Sequence, residues 1–447
     1  MKERSTFSGK LGFVLAAAGS SVGLGNIWRF PYLAAKYGGG LFVLIYIILV
    51  VTIGSTLMQT EVALGRRSQC DVYNTYKTLD KRFTILGIMG IIIPVFIATN
   101  YSVVGGWVIK YLIEFVLGNS SQTASPNYFS NYISTPVMPI VFHSVFILLS
   151  MLILLCGVKK GIERSNKIMM PALLILTIII SIKGITLPGG LEGVKFYLVP
   201  DFSRFSLVSV LMAIGQVFYS LSLAMGIMIT YGSYMGKDID IQHSIKMTEF
   251  FDTSVAILGG LMIVPAVFSA SGGNSDAINV GPGLLFETLP EVFEQFPLGN
   301  LFGALFFLLA LFAALTSIIS LMEVIIAWLI DRFNMSRFKA TFLVSLILFL
   351  TGIPSSLGFG IWKNVLIFDK NIFDFIDYTA NSILMPLIAI ATCIFVGYFL
   401  GVKTIFEEAE LSATFKHKKY YSLMVKVIVP ICIAAIWISA VFNIPKA

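Results

Sequence analysis

The stretch GFVLAAAGSSVGLGNIWRF, residues 12–30, decides how this 447-residue chain is read. It opens and closes as an apolar helix, yet Gly19, Ser20, Ser21, Gly23, Gly25 and Asn26 fall in between, where helix propensity is sacrificed. Working outward, the chain around it is 57% hydrophobic and only 12% charged, with a mean hydropathy of +0.88. A water-facing surface does not tolerate that composition. Apolar runs of about 20 residues, each enough to cross a hydrocarbon core of about 30 Å, recur along the whole sequence, and about eleven can be counted. They are continuous rather than alternating, so they read as helices and not as barrel strands. No soluble domain fits between them. The expectation is an all-α polytopic membrane protein in which the first span is interrupted at bilayer depth. A break at that depth frees carbonyls and amides that a ligand or a water-lined cavity must satisfy.

A second interruption, GQVFYSLSLAMGIMITYGSY at 215–234, comes some 200 residues later. Breaks at matching places in two halves of a chain point to a midplane substrate site between inverted repeats. Small residues also let membrane helices pack closely, but packing does not ask for Asn26 and Arg29 beside the first break. An arginine within a span costs about 2.5 to 3.5 kcal/mol on insertion scales.

The net charge of +7 is not a nucleic-acid signature, because the basic residues fall in every second loop. Lys2, Arg4 and Lys10 precede the first span, and Arg66, Arg67, Lys77, Lys81 and Arg82 follow the second. The series continues with Lys159, Lys160, Arg164 and Lys167, then Lys237 and Lys246, then Arg332, Arg337 and Lys339, then Lys403, Lys416, Lys418 and Lys419. This places the N-terminus in the cytoplasm and, with an odd number of spans, the C-terminus outside the cell membrane. No cleavable signal precedes the first span. Loop 118–135 carries no charge and 271–298 is acidic through Asp276, Glu287, Glu291 and Glu294, so both face the exterior. Segment 185–204 is too polar to span and is expected to form an ordered external lid. Cys70, Cys156, Cys393 and Cys432 show no pairing pattern. His143, His243 and His417 lie far apart and no catalytic motif appears, which argues against an enzyme.

Five ordered motifs carry a resemblance: AGSSVGLGNIWRFPYLAAKYGGG at 18–40, EVALGRR at 61–67, GVKKGIERSNKIMMP at 157–171, GQVFYSLSLAMG at 215–226 and AALTSIISLMEVIIAWLID at 313–331. Over nearly its whole length the chain resembles the neurotransmitter:sodium symporters, in particular their short bacterial amino-acid transporters, which implies a bacterial cytoplasmic membrane. The resemblance implies a LeuT-type 5+5 inverted repeat with helices 1 and 6 unwound. The repeats would run over about 10–184 and 205–402, with a last helix at about 420–443. It implies import of a neutral, large hydrophobic or aromatic amino acid driven by two sodium ions, without chloride. A sensor of the same fold that binds without transport is the alternative.

Carried over position by position, the resemblance implies a first sodium site of the Ser21 carbonyl, Asn26, Ser220 and Asp252. The second would use the carbonyls of Gly19, Val22 and Ala313 with the hydroxyls of Thr316 and Ser317. Unwound carbonyls and hydroxyls are suitable oxygens for a small hard cation, although Thr316 and Ser317 could also bond back to their own helix. The substrate carboxylate would meet the amides near Leu24 and Gly25 and the Tyr101 hydroxyl, and its ammonium the carbonyls around Ser21 and Tyr219, with Ser220 also among the substrate contacts. Its side chain would face Ile97, Tyr101, Tyr219, Ser222, Met225, Ser317 and Leu321, none of them charged. Met225 could equally be core filler. Ala224 and Tyr219 stand where the family usually has glycine and phenylalanine.

Asp252 and Glu61 are acids within spans, where a carboxylate is costly. The resemblance implies that Asp252 supplies the negative charge that animal relatives take from chloride, and that Glu61 bonds the unwound backbone; a helix cap is the plainer reading of Asp252. It also implies an outer gate of Arg29 with Asp377 and an inner gate of Arg4 with Asp331 and Tyr234. The bilayer and a small-molecule substrate are the expected partners; oligomeric state is not legible.

Overall fold

The computed structural model describes residues 5–270, 283–295 and 297–441. Among them no strand forms, only the isolated bridges Gly39 to Pro200 and Ile367 to Lys370. Helix α1 is a bent pair, Lys10–Ser21 and Gly25–Lys36, whose halves diverge by 56°. Long apolar helices follow: α2 (Gly40–Ser68), α3 (Lys81–Val116), α4 (Met138–Leu155) and α5 (Val158–Ile185). The second interrupted element, α6, consists of Leu207–Ser220 and Ile227–Ser233. Then come α7 (Ile241–Ser269), α8 (Gly299–Phe333), α9 (Arg337–Leu357), α10 (Ile372–Leu400) and α11 (Lys418–Val441). The chain is an all-α polytopic membrane protein in which the first and sixth helices are broken.

Burial sorts the helices by role. The apolar stretch of α8 is 78% buried and that of α11 only 22%, so α8 is the axis of the bundle and α11 its edge. Outward faces carry Ile48, Val51, Leu152, Ile175 and Ile431, all exposed as lipid permits. Facing inward are small and polar residues such as Ala16, Ala17, Ala18, Ser20 and Ser21 on α1. The two breaks differ in mechanism. Residues 22–24 interrupt α1. In α6 the chain turns through left-handed backbone at Ser222 (φ 52°), Ala224 (φ 60°) and Gly226 (φ 73°).

Backbones meet directly where α2 crosses the second half of α6. A Cβ on Gly65 would lie 1.9 Å from the Ile229 carbonyl oxygen, and one on Gly232 would lie 2.4 Å from that of Val62. Only glycine permits this reciprocal approach.

Segment 185–204 is ordered, with a helix at Gly190–Leu198 and a short turn at Phe202–Arg204. It is not a lid over the central cavity. Gly193 lies against Pro265 of α7, Tyr197 is fully buried, and Gly39 and Gly40 pack on its end, so it braces α7 and the α1–α2 turn. Arg66, one of the residues counted toward orientation, is also structural: it is fully buried, with Nε bonded to Glu408 Oε1 at 2.8 Å and Nη1 to the Ile239 carbonyl at 2.6 Å.

Candidate functional site

Because α1 and α6 break side by side, their loosened segments can bond each other rather than themselves. The Ser20 carbonyl accepts from Ser222 Oγ at 3.0 Å and from Ser317 Oγ at 3.2 Å, so one freed oxygen ties α1 to α6 and α8. Gln216 Nε2 donates to the Gly25 carbonyl at 3.4 Å, and the Leu24 amide donates to the Tyr101 hydroxyl at 3.1 Å. The Ala224 amide, freed by the turn in α6, donates to Glu61 Oε1 at 2.8 Å.

Asp252 lies at the centre of the densest network. Its Oδ1 accepts from Asn26 Nδ2 at 2.7 Å, its Oδ2 from Tyr46 OH at 2.9 Å, and Ser220 Oγ approaches both oxygens at 2.9 and 2.8 Å. The carboxylate is fully buried and deep in α7, far from either helix end, so it is no cap. Asn26 Oδ1 accepts from the Gly23 amide at 3.3 Å, which turns that oxygen toward the break. Asn26, Ser220 and Asp252 are therefore brought together as one set, and the Ser21 hydroxyl is buried without a partner. Tyr46 was missed by sequence reasoning, since a tyrosine within a span looks like core. Glu249, buried three residues before Asp252 on α7, was missed too.

At the other proposed ion position, Thr316 Oγ1 donates to the Ala313 carbonyl at 3.1 Å, the back-bonding that a threonine in a helix often makes. Gly19, Val22, Ala313 and Thr316 are all buried, and a Cβ on Gly19 would stand 3.4 Å from that of Thr316. The geometry thus groups α1 and α8 residues here, with the Ser317 hydroxyl turned to Ser20.

A cavity of about 30 Å³ opens between the breaks, lined by Ser20, Ser21, Gly23, Gly25, Asn26, Ile97, Tyr101, Tyr219, Ser222, Met225, Ile227, Ser317 and Leu321. Nine of the residues expected at the substrate are in this lining; Leu24 and Ser220 are not. Leu24 faces a second cavity, and Ser220 stands behind the wall in the Asp252 network. The cavity is contracted because Tyr219 leans on the break: a Cβ on Gly25 would lie 2.4 Å from its ring. Beyond it a vestibule of about 350 Å³ is lined by Leu24, Trp28, Arg29, Tyr32, Tyr101, Tyr219, Phe373, Asp374 and Asp377, among others. Tyr101 and Tyr219 belong to both linings and form the partition between them.

The expected Arg29–Asp377 pair is not made. The Arg29 guanidinium lies over the Tyr219 ring, 5.0 Å from its centroid, and Asp377 Oδ1 accepts from Asn381 at 2.7 Å. The physical reason is the open vestibule between them, which keeps both groups in reach of water and leaves the arginine to a cation–π contact. Arg4 lies outside the described residues, so the other gate is seen only from its partners. Asp331 accepts from the Asp71 amide at 2.9 Å, and Tyr234 OH donates to Glu323 at 2.8 Å. Glu323 is fully buried in α8 and takes a two-pronged ion pair from Arg337 at 2.8 and 2.7 Å. Phe7 closes this end, its amide donating to the Tyr234 carbonyl at 3.0 Å and its ring packed on Phe13, Tyr231 and Tyr234.

Two broken helices meeting around a partitioned cavity, with an ion pair at one end and a vestibule at the other, define a secondary transporter of the LeuT-type fold. Comparison with known proteins agrees. Residues 4–131 and 133–447 match the Sodium:neurotransmitter symporter family. The chain is 38% identical to an uncharacterized sodium-dependent transporter of Haemophilus influenzae over 99% of both chains. It is 36% identical to the uncharacterized sodium-dependent transporter YhdH of Bacillus subtilis over 97% of both. Among solved structures, that of MhsT in complex with L-phenylalanine superimposes with a TM-score of 0.88 at 38% identity, covering 98% of this chain and all of that one. The chain belongs to the sodium:neurotransmitter symporter family, and is a sodium-coupled membrane transporter.

Proposed function

We propose that the chain imports a neutral amino acid with a large apolar or aromatic side chain, coupled to two sodium ions and independent of chloride. The observation that carries this reading is the polarity of the central cavity. Its lining combines hydroxyls and the loosened backbone of α1, suited to an ammonium and a carboxylate, with the apolar side chains of Ile97, Met225, Ile227 and Leu321, and no lining residue is charged. MhsT, whose structure holds L-phenylalanine, is a neighbour in keeping with it. Admitting such a side chain requires Tyr219 to swing from Gly25, which Met225 accommodates because its thioether adapts easily.

The first ion would sit between the Ser21 carbonyl, Asn26, Ser220 and Asp252, completed by the substrate carboxylate, and the second between Gly19, Val22, Ala313, Thr316 and Ser317. Sharing the carboxylate makes ion and substrate affinities reciprocal. Asp252, tied to Asn26 and Ser220, supplies a fixed negative charge, which removes the need for chloride. Two sodium ions moving with a zwitterion are worth about 4.6 kcal/mol per 100 mV, above a thousandfold accumulation. With the N-terminus in the cytoplasm, the vestibule faces outward and the Glu323–Arg337 pair closes the inner end.

The test is uptake of radiolabelled amino acids by proteoliposomes under sodium or potassium, with and without chloride. Sodium-dependent, chloride-independent concentration of phenylalanine, leucine or a close analogue is expected. Binding without accumulation would instead identify a sensor.

A further inference from the structure

Asn166 is unexplained by anything above. It lies on α5, three residues beyond the wide turn Val158–Glu163, and is fully buried. Its Nδ2 donates to the Ile162 carbonyl at 2.8 Å, which fixes the orientation of the amide, yet its Oδ1 has no hydrogen-bond partner. That oxygen is aimed at one place: a Cβ on Gly19 would lie 1.8 Å from it, with Thr316 Cβ 3.4 Å from the same point. A buried acceptor left unpaired is a standing cost, and such groups in native structures call for an explanation.

We propose that Asn166 Oδ1 is an additional oxygen ligand for the sodium ion held between α1 and α8. The inference rests on the reading of that second ion site. A Cβ tilts toward the start of its helix, so the oxygen covers the side of Gly19 nearest the N-terminus of α1. The ligands of the reading come from α1 and α8, and Asn166 closes the site from a third helix, between them and the inner end. A neutral amide oxygen raises the count toward the six or so that a hard cation takes, without adding charge. It also explains why residue 19 is glycine, since any side chain there would displace the amide. Asn166 is then the last protein oxygen the ion touches on leaving inward.

The experiment is equilibrium binding of ²²Na⁺ to the purified full-length transporter without amino acid, which isolates the ion sites from substrate identity. Asn166→Leu keeps the size and removes the oxygen; it is expected to weaken sodium binding by about tenfold, the usual effect of losing such a metal-site partner. Asn166→Asp keeps the shape and adds charge, and is expected to tighten binding while slowing sodium efflux from preloaded proteoliposomes. Sodium binding by Asn166→Leu equal to that of the unaltered protein overturns the inference, as does equal weakening by Leu and Asp, which would mark a packing role. Where Leu does not yield folded protein, the Asp variant alone decides by the sign of its change. Thr316→Ala with Ser317→Ala separates the two readings. If that double variant loses sodium and Asn166→Leu does not, Asn166 alone is wrong; if the double variant binds sodium unchanged, the second ion site itself falls.

Discussion

Replacing Asp252 by asparagine probes the charge balance of the site with the least change of shape. The carboxylate touches Asn26 and Ser220, its fellow proposed ligands of the first ion, at 2.7 and 2.8 Å, which puts the negative charge at the proposed sodium position itself. At about 4 Å and an effective dielectric near 20, two unit charges attract by about 4 kcal/mol, an upper bound once neighbouring dipoles relax. Each 1.4 kcal/mol is tenfold, so sodium affinity should fall at least tenfold and by as much as about a thousandfold. The substitution also sets an amide against Tyr46 OH or Asn26 Nδ2, both of which donate to the carboxylate now. A chloride ion entering the network would restore the missing charge. The assay is sodium-dependent uptake into proteoliposomes with chloride or gluconate as the anion. The expected variant is nearly inactive in gluconate, with chloride moving its sodium midpoint back toward the original. A variant that stays active, with its midpoint within about twofold and no response to chloride, would refute the reasoning.

Tyr101→Phe removes the acceptor of the Leu24 amide at 3.1 Å, and should weaken amino-acid binding by about fivefold, or about 1 kcal/mol, in a competition assay. Ala224→Gly relieves a left-handed residue at φ 60° by about 1 kcal/mol, so a thermal scan in detergent should show a higher midpoint. Arg337→Ala leaves Glu323 buried in α8 with the Tyr234 hydroxyl but no ion-pair partner and should destabilise the protein by about 3 to 5 kcal/mol; adding Glu323→Gln should recover much of it, and no recovery would mean the pair is not what holds that end.

What the sequence revealed followed from chemistry that is local along the chain. Glycines and serines at depth marked both breaks, because low helix propensity in a span is visible without any partner. The gathering of Asn26, Ser220 and Asp252 was reached through family resemblance, since nothing in the spacing says that residues about 200 positions apart will touch. Tyr46 and the Ser20 carbonyl were illegible for opposite reasons: one side chain passes for core, and the other contribution comes from backbone that every residue has. Glu323 escaped notice within a long apolar run, and its partner Arg337 was counted among loop charges that set orientation. The Arg29–Asp377 expectation failed because a sequence encodes which groups can pair, whereas the state of the vestibule decides whether they do.

The glycine contact between α2 and the second half of α6 bears on how the bundle can move. With Gly65 against the Ile229 carbonyl and Gly232 against that of Val62, no side chains lie between the two backbones to act as bearings. Sliding would drive carbonyl oxygens into α-carbons, so the pair turns as one strut. The loose joint at Ser222, Ala224 and Gly226 lies just above that strut, and Glu61, carried on α2, grips the joint through the Ala224 amide. Any rocking of α2 therefore reaches the wall of the central cavity directly, and a methyl group at position 65 or 232, by forcing the two backbones apart, should uncouple the strut from the joint it carries.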